Sequence, residues 1–234
     1  LNKQGYTLLE VTLFLAISSS LALIAFVGLG PKLRNVRFTD SVRGVEASIT
    51  RAIADSKAGS SPVNDTKCVP SGQGFKISAK VGNPPGISQD CVLSGVWIYF
   101  KDSSIQYYQV TSLRTRNSKC PDDKAIQNAV DVSVCFGARP IGDQFGDEGY
   151  QPKTYNLTNG LTRTKAKDES ALKDTFVGYV VDPSSNQPYI FIEGQEGDKP
   201  TSKKICYQLN NRKASINFST GSIEPRLEFD DAQC

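Results

Sequence analysis

An α+β fold is predicted: a long N-terminal helix, apolar in its first half and amphipathic in its second, packed on an antiparallel β-sheet. Three observations carry this expectation. Val11 to Leu29 holds no charge and is interrupted only by Thr12, Ser18, Ser19, Ser20 and Gly28. Beyond Pro31, the apolar residues Phe38, Val42, Val45, Ile49, Ala52 and Ile53 recur at spacings of three or four before a final adjacent pair, which is one face of a helix. Residues 60–234 break into short runs of branched and aromatic residues separated by Gly, Pro, Asn and Asp, the pattern of strands and turns.

The helix should start near Tyr6. Thr7-Leu8-Leu9-Glu10 fits a capping box, in which threonine and glutamate satisfy amides that have no partner at a helix start. A carboxylate there also favours the positive end of the helix dipole. The uncharged run is long enough to span a bilayer core, which takes about 20 residues. A cleavable secretory signal is the rival reading, but this run is longer than such a core and leads into Gly30-Pro31 and a charged helix. Gly28, Gly30 and Pro31 mark an expected bend or local melting, because proline removes a ladder donor. A helix from Tyr6 to Lys57 would be roughly 75–80 Å long at about 1.5 Å per residue. Gly59 and Ser60-Ser61-Pro62 should close it.

In the body, strands are expected at "GFKISAKV" (74–81), "VWIYF" (96–100), "IQYYQV" (105–110), "VDVSVCF" (130–136), "FVGYVV" (176–181), "YIFIE" (189–193), "KICYQL" (204–209) and "ASINFS" (214–219). "STGSIE" (219–224) reads as a turn between two final strands. Residues 114–128 and 137–174 read as loop-rich insertions, and a loop of the latter length is usually functional or mobile. The chain thus divides into residues 1–5, 6–30, 31–58 and a β-rich domain at 59–234.

The six cysteines, Cys68, Cys91, Cys120, Cys135, Cys206 and Cys234, all follow the apolar run, and none forms a CxxC pair. Widely spaced cysteines in even number suggest an oxidising exterior, with neighbours in sequence as the expected partners. Six reduced thiols in a cytosolic domain is the alternative. Flanking charge points the other way. Only Lys3 and the amino terminus precede the run, whereas Lys32, Arg34 and Arg37 follow it, which by itself places the body in the cytoplasm.

Little suggests an enzyme. His is absent and the net charge is only +3, so the usual general base is missing and a strong polyanion-binding field is not expected. Ser170-Ala-Leu-Lys173 matches a serine–lysine motif without its companions. Asp143, Asp147 and Glu148 gather around glycines but fit no calcium-loop spacing. No catalytic residue, metal or cofactor is expected. The aromatics of "WIYFKDSSIQYY" read as core rather than as an adhesive patch. Lys and Arg near 114–124 and 163–167 are diluted by acids as a DNA-gripping surface.

A carboxylate carried into an apolar run favours meeting a cation. Here "KQG" followed by "YTLLEVTLFLAI" resembles the class III signal of type IV pilins and pseudopilins, with tyrosine where the family usually has phenylalanine. The resemblance covers about 25 residues. It implies a pilin-like fold with a membrane stalk, a leader at residues 1–5, cleavage between Gly5 and Tyr6, and methylation of Tyr6. It also implies that Glu10 acts in filament assembly, by pairing with the new amino terminus of a neighbouring subunit.

The implied function is a structural subunit, a pilin or minor pilin of a type IV pilus (fimbrium). The alternatives are a pseudopilin of a type II secretion-like system and an adhesive or DNA-binding minor pilin. The implied partners are other pilin subunits, a prepilin peptidase, inner-membrane assembly machinery, membrane lipid before assembly, and DNA or a host-cell surface. The implied location is a single-pass transmembrane helix in the cytoplasmic membrane, then a pilus outside the cell. "ITRAIADSKAGS", "SGVWIYF" and "ASINFSTGSIE" give the body a weaker resemblance to H-type minor pseudopilins and FimT-like minor pilins. In a major pilin, Cys206–Cys234 would be the C-terminal loop bridge. Leu1 in place of Met fits an alternative start codon or a truncated leader.

Overall fold

The computed structural model describes residues 7–57, 66–71, 74–79, 91–117, 120–121, 123, 125–142, 151–167, 175–192, 202–220 and 222–234, without the side chains of 25, 27, 28, 31, 66–79, 91 and 223. Helix α1 (Leu8–Lys57) leads into the paired strands β1 (Thr66–Ser71) and β2 (Gly74–Ala79). Strands β3 (Cys91–Phe100) and β4 (Ser104–Leu113) precede helix α2 (Ala129–Phe136). There follow β5 (Arg139–Pro140), β6 (Lys153–Asn156), β7 (Thr162–Thr164), β8 (Thr175–Val181), β9 (Pro188–Ile192), β10 (Ser202–Leu209), β11 (Arg212–Ser219) and β12 (Ser222–Phe229).

The predicted fold class, a pilin-like helix laid on one antiparallel sheet, is corrected. The body is β-rich, and among the described residues its strands divide among three sheets: β1-β2, a four-stranded β12-β11-β10-β7, and a six-stranded β5-β4-β3-β8-β9 with β6 also on β4. The division comes from non-local pairing. Strand β3 takes β8 as its second neighbour, and β10 takes β7. The loop-rich reading of 137–174 is corrected at β5, β6 and β7, which are too short to show a period of their own.

One core lies between α1 and the two larger sheets. Phe38, Val42, Val45, Ile49 and Ile53 of α1 are buried against Val96, Ile98 and Phe100 of β3, Val177 and Tyr179 of β8, and Ile205, Tyr207, Ile216 and Phe218 of β10 and β11. Alternation at period two puts those strand residues on the inner face. Strands β3 and β8 approach closely enough at one point that β3 needs a glycine. A Cβ on Gly95, beside the bulge in β3, would lie 1.9 Å from the Tyr179 carbonyl oxygen. Phe38 sits at the edge of the core, edge-on to Phe229 and beneath the Arg212 guanidinium.

A second apolar cluster forms on the opposite face of the six-stranded sheet, under α2. Residues 130–136 were expected to be a strand and are helical instead. Asn128 caps the start, its side chain accepting from the Asp131 amide at 2.9 Å, and Gly137 ends the helix at φ 62°. A disulfide joins Cys135 to Cys120 and holds the preceding loop on the helix. Trp97, Phe176 and Phe191 lie alongside with near-parallel rings, their centroids 4.8 to 6.0 Å apart.

A second disulfide, Cys206–Cys234, ties the chain after β12 to β10. The Cys68 and Cys91 side chains lie outside the described residues. Asp231 organises this corner. It accepts from Lys204 Nζ at 2.7 Å, Ser215 Oγ at 2.6 Å and the Gln233 amide at 2.8 Å. Burial raises its carboxyl, but those donors outweigh burial and hold it down to about 2, against an ordinary 3.8. A depressed carboxyl stabilises the fold above its ordinary value and ceases to as pH falls through the folded one. Between about pH 4 and pH 2 the corner should therefore lose about 2 kcal/mol. Urea unfolding across that window measures the loss, and Asp231→Asn should flatten it.

Candidate assembly surface

The two halves of α1 differ in what covers them. From Leu8 to Val36 the large apolar side chains that are described face solvent: Leu8 is 85% exposed, Phe14 70%, Leu21 63% and Phe26 78%. Two residues beyond Val36, Phe38 is 1% exposed. Two of the hydroxyls within the first half are satisfied by the helix itself. The Thr12 hydroxyl donates to the Leu9 carbonyl at 3.0 Å and Ser20 to that of Ala16 at 2.9 Å. Thr12 and Ser20 can therefore be buried against an apolar neighbour without stranding a donor.

At its start the capping box is formed. The Thr7 amide and hydroxyl donate to Glu10 Oε2 at 2.9 and 3.0 Å, and the Glu10 amide donates to Thr7 Oγ1 at 3.3 Å. Those bonds, the backbone one foremost, hold the exposed Glu10 carboxyl below its ordinary value, so it is ionised at neutral pH. Within one chain the local role of Glu10 is thus the one realised. Gly5 and Tyr6 lie outside the described residues. The helix runs through Gly28, Gly30 and Pro31 without interruption, so the expected melting does not occur. Nothing lies within 4 Å of a Cβ built on Gly30.

Among the described residues, no helix is long and apolar enough to cross a membrane. This finding corrects the transmembrane assignment and the single-pass location in the cytoplasmic membrane that was built on it.

The other sequence candidates are dispersed. Cys120, Cys135, Cys206 and Cys234 are structural, in two separate bridges. Asp143, Asp147, Glu148, Ser170 and Lys173 lie outside the described residues, among which no group of three His, Cys, Asp or Glu could hold a metal. Phe100, Tyr107 and Tyr108 are buried, and Trp97 and Tyr99 are half-buried, so the aromatic stretch is packing. Arg114 is exposed, but Arg163 is 5% exposed and cannot reach a phosphate backbone. That burial had no local signal in "LTRTKAK", where every cation reads as solvated. No family model, curated protein or solved structure matches this chain.

Proposed function

We propose that the chain is a structural subunit that polymerises through the first half of α1, in the manner of type IV pilins and pseudopilins. The supporting observation is the apolar surface from Leu8 to Val36, exposed around the helix and continuous with a second half that is anchored in the body. An exposed apolar surface of this extent marks an interaction site. Each buried Leu, Ile or Phe contributes about 1.5–3 kcal/mol, so apposed helices from a few copies supply ample driving force.

Glu10 sets the register. An isolated carboxylate is costly among apolar helices, so copies are favoured to stagger until it meets a cation. In the signal that residues 3–17 resemble, that cation is the amino terminus of a neighbouring copy, freed by a prepilin peptidase between Gly5 and Tyr6. The chain performs no chemistry of its own in this reading.

Glu10→Gln separates the two roles of the residue, because glutamine still accepts from Thr7 but carries no charge. Polymer yield should fall at least about tenfold, the equivalent of about 1.4 kcal/mol, while thermal unfolding of the body is unchanged. Normal polymer yield from this variant contradicts the charge role.

A further inference from the structure

Arg163 of β7 is a buried cation that forms no ion pair with an acid among the described residues. The ion pairs among the described residues involve Lys204 and Arg212 instead. Its guanidinium donates from Nη1 to the Phe100 carbonyl at 2.7 Å and from Nη2 to Thr175 Oγ1 at 2.9 Å. Both acceptors are neutral, and Nε has no hydrogen-bond partner. An uncompensated buried charge is strongly unfavourable.

A second polar group without a partner stands across the ladder. Tyr207 of β10 is directly opposite Arg163 in the antiparallel register, so both side chains project from the same face. Tyr207 is fully buried and its hydroxyl has no partner. Burial pushes that phenol well above its ordinary range, with Tyr107 nearby adding to the rise and the Arg163 cation opposing it. Tyr107 does not satisfy it from its own hydroxyl, which is bonded to Ser48.

We propose that Arg163 and Tyr207 form a buried site for a small monovalent inorganic anion of the halide class. Arg163 Nε–H and Tyr207 O–H both donate, and a halide accepts from both. A bridging water would satisfy the donors but leave the charge uncompensated. The charge therefore decides for an anion, and the surrounding aromatic and aliphatic core favours a small, weakly hydrated one over phosphate or a carboxylate.

The test uses the full chain, with sodium chloride or bromide as the probe and fluoride at matched ionic strength as the control. Ligand binding to the native state alone raises stability with the logarithm of its concentration. The melting temperature should therefore climb with chloride and bromide but not with fluoride. Tyr207→Phe keeps the buried ring, and should weaken the apparent halide affinity by about tenfold without unfolding the protein. Crystals grown in bromide should give an anomalous peak within hydrogen-bonding reach of Arg163 Nε. Equal melting temperatures in all three salts, a water there with no anomalous signal, or bromide only at the surface (an adventitious ion only) would each overturn the site.

Discussion

Phe14→Glu is expected to abolish polymer while leaving the body as stable as before. Phe14 is 70% exposed in the single chain, and substitutions of exposed residues usually change stability by no more than about 0.5 kcal/mol. In a bundle of apposed α1 helices the same side chain is buried. A carboxylate there has no designated cation and costs several kcal/mol. That cost recurs in every copy, so assembly should fail outright rather than weaken. Sedimentation of polymer and thermal unfolding of the soluble fraction, measured on one preparation, separate the two effects. A fall in melting temperature comparable to a core mutation would mean that Phe14 is covered within the chain. Wild-type polymer yield would mean that this half of α1 does not mediate contact.

Ile49→Ala should show the opposite behaviour. Ile49 is wholly buried between α1 and the sheets. Removing its branched side chain leaves a cavity that costs about 2–5 kcal/mol. For a protein of this size that lowers the melting temperature by roughly 10 °C. Thr50, one residue on and exposed, is the internal control, and Thr50→Ala should be near neutral. Denaturant unfolding measures both. A small effect at Ile49 would show that the helix is not integral to the core. That the two halves of one helix should respond so differently follows from burial alone.

The stripe from Phe38 to Ile53 was legible because a helix folded onto a core must repeat its apolar residues at three and four. The Thr7–Glu10 cap was legible for a similar local reason, since both partners lie within one turn. Other features depend on distant chain. The run Val130 to Phe136 alternates like a strand and is rich in valine. Asn128 and Gly137 at its ends outweigh that preference, with the bridge from Cys135 to Cys120 holding it in place. Three-sheet topology was hidden because β3 with β8, and β7 with β10, pair across long separations in sequence. Arg163 was read as a surface cation, and only its register opposite Tyr207 puts it inside. Hydropathy alone makes the uncharged run from Val11 to Leu29 look like a membrane span. The structure supports a narrower statement: an apolar helix surface that the other described residues do not cover.

Helical reconstruction of polymers purified from cells making the unmodified chain tests the assembly claim most directly. It should place residues 8–36 of neighbouring copies in side-chain contact along the filament axis, with each Glu10 carboxylate within about 4 Å of a cation from an adjoining copy, an ion-pair distance. Filaments in which those helices face solvent, or a chain that stays monomeric with the same surface exposed, would contradict it.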